Sequence, residues 1–374
     1  KLRARRFASG ALSLHNPKLA FKLNEDMTEP IGWHIYEIRE SNKLIEEFML
    51  LANREVAKFI HSAFPETALL RLHPPPQERK MTEVIDTLAA AGYTIDASSS
   101  GSLHASLQRI GEGTTQRDRD VYAVVMDLLA SPMQSAQYFC TADHDENEFR
   151  HYALAFDHYT HFTSPIRRYP DCVVHRLLAA ALGENQPGLA PARDAKAVTA
   201  IADHANEKKY NAKQASTASG LSYLCVFLAN QPIRNMRTLV SGVGSSSFPL
   251  LAPGLSHDDR VYIADLAIHP DATTYDEDEK VLTLHWRDGG VSRIAMFEPV
   301  MVDVVVNTRR MPHVPRFVPR SPLDSGAVAA SLSATELDDL DAAVADDDTA
   351  TADASTDAPL GASSNDDEGN DSES

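Results

Sequence analysis

The sequence predicts an α+β chain in three parts: a largely helical segment over 1–232, a small closed β-barrel over 233–312, and an acidic tail over 313–374. Three observations point there. Apolar residues recur at i, i+3, i+4 and i+7 in several stretches before residue 230. Beyond Pro232 the pattern becomes about five short alternating strands, a number that suits a small barrel. From Asp324 to Ser374 there are 15 acids and no Lys or Arg, among Ala, Ser and Thr. Such a segment cannot bury enough apolar surface to fold and is expected to be disordered.

In chain order, "KLRARRFASGALSL" carries four basic residues in an alternating pattern and predicts an exposed strand or strand edge. "IGWHIYEIRESNKL" predicts a strand leading to a turn at Glu40–Asn42. "LIEEFMLLANREVAKFI" has a helical period over roughly 44–60. "LLRLHPPPQERK" predicts a strand halted by prolines, and "MTEVIDTLAAAGYTI" a helix ended by Gly92. "DRDVYAVVMDLLASPMQSAQYF" is mainly helical up to a break at Pro132. "CVVHRLLAAALG" completes another helix, and the Ala-rich "VTAIADHANEKKYNAKQASTASGLSYLCVFLAN" is one long helix of the kind that links domains. The barrel strands are "MRTLVSGVG", "SFPLL", "DRVYIADLAI", "KVLTLHW" and "MVDVVVNTRR".

Charge narrows the class of partner. The net charge of −18 is concentrated in the tail, since the residues before Asp324 hold 38 acids against 35 bases. A nucleic-acid surface would therefore be local rather than global. Cys140, Cys172 and Cys225 are widely spaced and odd in number, which fits neither a disulfide framework nor a CxxC knuckle and favours a reducing compartment. No apolar run approaches a membrane span, so an intracellular chain without a membrane partner is expected.

The stretch "HYTHFTSPIRRYPDCVVHRLL", 158–178, carries the first candidate chemistry. Ser164 can cap a helix with Pro165 at its first position, and a helix N-terminus suits an anion. Arg167 adds a planar fork matched to phosphate, and Asp171, four residues on, could hold it. A capped helix with a solvated first turn, Arg168 included, explains the same residues. On the 44–60 helix, Lys43, Glu47, Arg54 and Lys58 share a face expected to be solvated. Glu46 and Asn53 lie on another flank among Ile45, Met49 and Leu50. A carboxylate there needs a donor: a ribose hydroxyl, a lysine, a metal-bound water or a neighbouring Arg. Cys140, His144, His151, His158 and His161 match no standard zinc spacing, and no metal ligand is expected among them. His161 reads as a hydrogen-bonded scaffold residue. There is no GxxxxGK[ST] loop, and "GVGSSSF" reads as a turn between strands.

Six blocks, "RRFASGALSL", "HIYEIRESNKLIEEFMLLAN", "RLHPPP", "SPMQSAQYFC", "FRHYALAFDHYTHFTSPIRRYPDCVVHRLLAAALG" and "NEKKYNAK", resemble in the same order the RNase II/RNB exoribonuclease family. The details are most similar to its cytoplasmic, exosome-independent eukaryotic branch, which degrades oligouridylated RNA. The resemblance implies the C-terminal part of an RNB catalytic domain followed by an OB-fold RNA-binding barrel. It also implies processive hydrolysis of single-stranded RNA from the 3′ end, with release of nucleoside monophosphates and the use of two magnesium ions. By the same resemblance Arg167 contacts the scissile phosphate, and Glu46, with Glu47 as runner-up, recognises ribose near the 3′ end. Arg168, Ser164, Thr163 and His161 are expected to line the RNA path. Such a protein would be monomeric and located in the cytoplasm, including P-bodies.

Two departures from the family pattern matter. Its magnesium ligands are aspartates of the type DxxxxxDD, upstream of these blocks, and "DHDE" at 143–146 has neither that spacing nor that context. The chain is thus expected to begin beyond those ligands and to be inactive alone. Pro170 replaces a usually small residue and is expected to kink the helix and disturb the aim of Arg167 and Arg168. The alternative reading is an RNA-binding protein derived from a nuclease that does not cleave.

The composition of the tail generates a prediction. A polyanion tethered beside the basic "NTRRMPHVPRFVPR" competes with RNA in a salt-dependent way. Truncation after Arg320 should leave the melting temperature nearly unchanged and tighten single-stranded RNA binding at low salt, with a smaller gain at physiological ionic strength. Weaker binding or an unfolded barrel would mean that the tail is structural.

Overall fold

Helix α2, Glu40–Ala63, organises the N-terminal part because its buried face mixes apolar and polar residues. Glu47, Leu50, Asn53, Ala57 and Ile60 recur at helical spacing and all face inward. The structure is a computed structural model describing residues 1–14, 19–184, 194–255, 257–266, 268, 273–306 and 313–323. The predicted acidic tail lies outside these residues from 324 onward, while its first eleven positions, 313–323, are described. The helix starts at Glu40, where a turn was predicted: the Asn42 side chain accepts the Arg39 N–H at 2.9 Å and closes the first turn.

Ahead of it, Leu2–Ala8 form helix α1 and not a strand. The alternation there spans too few residues to decide the period, and burial of Arg6 against α2 selects the helix. Strands β1, Leu19–Leu23, and β2, Pro30–Ile35, form an antiparallel hairpin. Strand β3, Leu69–Leu72, leads to α3, Glu78–Ala90, which is followed by Gly92 at φ 90°. Helix α4, Ser100–Gly111, was not predicted. Its signal was the Ser99–Ser102 pair, whose side chains accept each other's backbone N–H at 2.9 and 3.1 Å. At its start a Cβ on Gly101 would lie 2.9 Å from Gly10 Cα, so only glycine allows this approach. Helix α5, Gln116–Ala130, stops before Pro132, and the "QYFC" that follows is strand β4, Gln137–Cys140, paired antiparallel with β3.

Helix α6 spans Tyr169–Ala181, and α7 runs unbroken from Ala195 to Asn230, about 54 Å. Val198 and Ala202 of α7 pack into one core with α2, β3, β4 and α6. Leu224, Phe227 and Leu228, near its other end, pack into the core of the barrel. A third core joins α3, α4 and α5, and includes Leu239, Leu251 and Phe297 of the barrel region.

The barrel contains β5, Ile233–Val240; β6, Ser247–Ala252; β7, His257–Tyr262; β8, Thr274–Asp276; β9, Val281–His285; β10, Val291–Ile294; β11, Pro299–Val306; and β12, Pro315–Pro319. Strands run β12-β11-β5-β6-β7 in one antiparallel sheet and β10-β9-β8 in another, around a shared core that includes Phe248, Leu250, Leu282, Leu284, Val302 and Val304. The two edges of the larger sheet approach each other: Asp259 of β7 accepts the Phe317 N–H of β12 at 2.7 Å and the Arg316 guanidinium at 3.2 Å. That nearly closed sheet matches the predicted OB-like barrel. Three strands, β8, β10 and β12, had not been predicted. Strand β12 lies inside the segment assigned to the tail, and its prolines are tolerated because it is an edge strand.

Helix α5 is tied to the barrel by Asp120, which accepts from both Arg237 Nη1, at 2.8 Å, and Nη2. Asp120 is 7% exposed, and the hydrogen bond from Arg237 holds its carboxyl below the usual range. Asp120→Ala should cost about 2 kcal/mol of unfolding free energy, as expected for hydrogen bonds to a charged group. Removing the more exposed Arg117–Glu298 pair by Arg117→Ala should cost under about 1 kcal/mol. Denaturant unfolding of the two variants checks the order, and equal losses would contradict it.

Candidate nucleic-acid site

The segment 164–168 forms a turn rather than the start of a helix. The Ser164 carbonyl accepts the N–H groups of Arg167 and Arg168 at 3.2 Å each, and α6 begins only at Tyr169. Ser164 does not cap the helix with its hydroxyl, and Pro165 is not the first helical residue. Pro170 instead occupies the first turn of α6, where a missing N–H costs nothing, so the predicted kink does not occur.

Asp171 shapes this turn. Its carboxylate, 0% exposed, accepts from Ser164 N at 2.8 Å and from Arg168 Nε and Nη2 at 2.8 and 2.7 Å. The aspartate therefore holds Arg168, not Arg167 as the spacing suggested. A three-residue step on a helix turn brings the two groups together as readily as a four-residue step. Arg167 is exposed, and its guanidinium makes no hydrogen bond or ion pair among the described residues. The neighbouring Ile166 is fully exposed. Thr163 Oγ1 is a buried hydroxyl without a hydrogen-bond partner.

The two glutamates of α2 have exchanged their predicted settings. Glu47, expected on the solvated face, is buried and accepts from Arg6 Nε and Nη2 at 3.1 and 2.5 Å. Glu46, expected among apolar neighbours, keeps 45% of its side chain exposed and lies 3.4 Å from Arg6 and 3.6 Å from Arg3. Ile45 and Phe48 point outward beside it. Asn53 is buried as a bridge: it donates to Tyr159 Oη at 3.1 Å and accepts Phe162 N–H at 2.9 Å.

Glu46 borders two clefts. One, of about 1070 Å³, is also lined by Arg3, Arg6, Phe7, Tyr36 and His73. The other, of about 480 Å³, is lined by Asn42, Asn53, Tyr159 and Arg168. Arg168 also lines a third cleft, of about 1040 Å³, with Arg167, His161, Tyr138, Lys208 and Lys209. The structure thus joins Glu46 to Arg168 along one cleft, and Arg168 to Arg167 and His161 along the next.

Electrostatically the third cleft is cationic. Arg71 is buried with its guanidinium 4.8 Å over the Tyr138 ring, donating to the Ala136 carbonyl, while its Nη1 has no partner. Lys209 is exposed along its length, but its ammonium donates to the Ala136 carbonyl at 3.0 Å, and partial desolvation of that group, followed by the nearby Arg71, depresses it to about 8. His161 hydrogen-bonds Tyr138 Oη through Nδ1 at 2.6 Å, as the scaffold reading expected. Burial, followed by Arg71, Arg168 and Lys209, lowers it from 6.5 to about 2, so the imidazole stays neutral. Burial raises the Tyr138 phenol, which keeps its proton. With the phenol as donor, Nδ1 accepts and Nε2 carries the imidazole proton. Arg71 and Lys209 had not been singled out in the sequence. Arg71 stands in an apolar strand and carried no motif, while Lys209 sits within "NEKKYNAK".

The histidine series does not converge on one metal. His144 pairs with Glu148 at 3.3 Å, and the His151 ring lies tilted beside that of His73, centroids 5.0 Å apart. Among the described residues, the one cluster of three possible metal ligands is His61, Glu146 and His158. Two imidazoles and one carboxylate do not fit magnesium, which prefers oxygen ligands. Among the described residues, no helix is long and apolar enough to cross a membrane.

The RNB domain family matches residues 1–184. The chain is 42% identical over 285 residues to DIS3-like exonuclease 2 of Caenorhabditis elegans, covering 76% of this chain and 32% of that protein. It is 45% identical over 183 residues to an Arabidopsis thaliana protein described as an inactive exonuclease of that type, covering 48% of this chain and 17% of the other. The apo form of Mycoplasma genitalium RNase R superposes with a TM-score of 0.64 at 21% identity, covering 81% of this chain and 45% of that one. The fold is thus that of the RNase R type, mixed helices and strands with a barrel behind them. The chain belongs to the RNB exoribonuclease family, in the branch of the DIS3-like exonuclease 2 proteins. It spans about a third of the length of the curated relatives it matches first.

The half-buried, neutral His161 gives a pH prediction. His161 is neutral in folded and unfolded chains above its unfolded value of 6.5; below that only the unfolded chain takes up the proton, until about pH 2. Stability contributed by this group is therefore present above 6.5 and lost as pH falls through the window from 6.5 to about 2. Between about pH 7 and about pH 5 its share of the loss is about 2 kcal/mol. His161→Gln, which keeps an acceptor for Tyr138, should lose about 2 kcal/mol less over that interval in denaturant unfolding. An identical pH response in the two proteins would contradict the neutral imidazole.

Proposed function

We propose that the chain supplies the RNA-gripping portion of a 3′-to-5′ hydrolytic exoribonuclease of RNA decay, acting on single-stranded RNA and releasing nucleoside monophosphates processively. The observation that carries this reading is the pair of adjacent arginines with different settings. Arg168 is locked by Asp171, while Arg167 is left free at the mouth of a cationic cleft. A guanidinium with no internal partner can meet a phosphate whose charge rises in the transition state. Glu46, open to two clefts, is the better ribose ligand of the two glutamates, because Glu47 is already committed to Arg6. Thr163, Ser164, Arg168 and His161 would then border the path of the RNA. By family resemblance we extend the proposal to a 3′-oligouridylated substrate, magnesium ions held by aspartates of the whole protein, and a monomeric, exosome-independent enzyme in the cytoplasm. The domain limits 1–232 and 233–312 are part of the same reading.

A second reading has its own support: a non-catalytic RNA-binding protein. One similar protein is described as an inactive exonuclease. The two readings share the same clefts and differ in turnover.

In the full-length protein, Arg167→Ala should raise the barrier by about 3 kcal/mol, roughly a hundredfold in single-turnover decay of a short oligoribonucleotide. Its dissociation constant should change only a few-fold. Weakened binding with an unchanged rate would remove the catalytic role of Arg167. No decay by the wild-type full-length protein, with RNA binding intact, would favour the second reading.

A further inference from the structure

Three side chains far apart in sequence meet on the side of α2 near its C-terminal end. His61 comes from the last turns of α2, Glu146 from the short helical turn after β4, and His158 from the segment leading to the arginine turn. His61 Nδ1 lies 3.1 Å from His158 Nε2, which lies 3.6 Å from Glu146 Oε1. Ligand atoms of all three lie within 4.8 Å of one another. Two ligands about 2.0–2.1 Å from a zinc ion at a tetrahedral angle are about 3.3 Å apart, so the observed spacings bracket that edge. We propose that His61, His158 and Glu146 bind a zinc-type divalent cation, with water completing the tetrahedron.

The surroundings favour this occupant. The Phe149 ring meets both imidazoles edge-on, at 5.4 Å from His61 and 5.8 Å from His158, and so holds their planes. The two facing ring nitrogens share one proton in a hydrogen bond, and on binding an ion that proton would shift to the far nitrogen of its ring, freeing both lone pairs. Imidazoles select zinc over magnesium or calcium, which take oxygen ligands. Lys58 is the adverse charge nearby, and its ammonium is turned to Glu55 at 3.8 Å. Glu146 is exposed, so the ion can enter from solvent.

A cation here would have a structural consequence for the arginine turn. His158 directly precedes Tyr159, whose hydroxyl pairs with Asn53 of α2 and whose carbonyl accepts the Arg71 N–H at 2.8 Å. The ion would add a second tie between α2 and this segment, two helical turns from the first, about 12 Å along the axis. The site is one of stiffening, not of catalysis.

The test uses the full chain stripped of metal with a chelator and titrated with zinc against a chromophoric zinc indicator, with magnesium and calcium as controls. The proposal expects one tight zinc equivalent, no competition by magnesium or calcium, and tetrahedral d–d absorption when cobalt(II) replaces zinc. Glu146→Gln, on the surface and safe for folding, should weaken that equivalent by at least about tenfold, as losses around metal sites do. His158→Ala should abolish it, while His144→Ala should leave it intact. No tight equivalent, or one that survives both Glu146→Gln and His158→Ala, would overturn the site.

Discussion

A single buried carboxylate governs the candidate site. Asp171 has no exposed surface and would be costly as a bare charge, so its three donors are obligatory. Two come from Arg168 and one from the backbone of Ser164, and the geometry of the turn follows from satisfying all of them. Once Arg168 is committed, Arg167 next to it cannot reach the same carboxylate and is turned outward. Pro170 fits this arrangement because the helix begins late enough to place it in the first turn.

The same logic of satisfied polar burial runs through α2. Glu47 is buried because Arg6 reaches it, and Asn53 is buried because Tyr159 and Phe162 need its amide. Those two partnerships hold α1 and the 159–162 segment against the start and the middle of one helical stripe. The stripe then leaves Leu44, Ile45 and Phe48 facing outward, despite their apolar character. Arg71 departs from the pattern: it is buried without a carboxylate, and the cleft beside it stays cationic although the chain before the tail is nearly neutral. A basic surface here is built locally, by withholding counter-ions.

Much of this could be seen in the sequence. Long elements with a sustained period, such as α2, α3, α5 and α7, and the change to short strands after Pro232, follow from local pattern alone. The stretch 158–178 was legible as a candidate site because its residue types suit phosphate. What could not be seen depends on contacts distant in the chain. Whether Glu46 or Glu47 is buried is decided by Arg6, some forty positions earlier. Whether Asp171 takes Arg167 or Arg168 is decided by where the helix begins. Helix α1 and strands β8, β10 and β12 are too short for their periods to speak, and Arg71 carries no motif at all.

The central claim is that Asp171 affects the proposed chemistry only through the placement of Arg167. A double-mutant cycle on Asp171→Asn and Arg167→Ala, read by single-turnover RNA decay in the full-length protein, tests it directly. If Asp171 works through the placement of Arg167, the double variant should decay RNA no more slowly than Arg167→Ala alone. Fully additive losses would show that the aspartate contributes to the reaction by a route independent of that arginine, and would contradict the account.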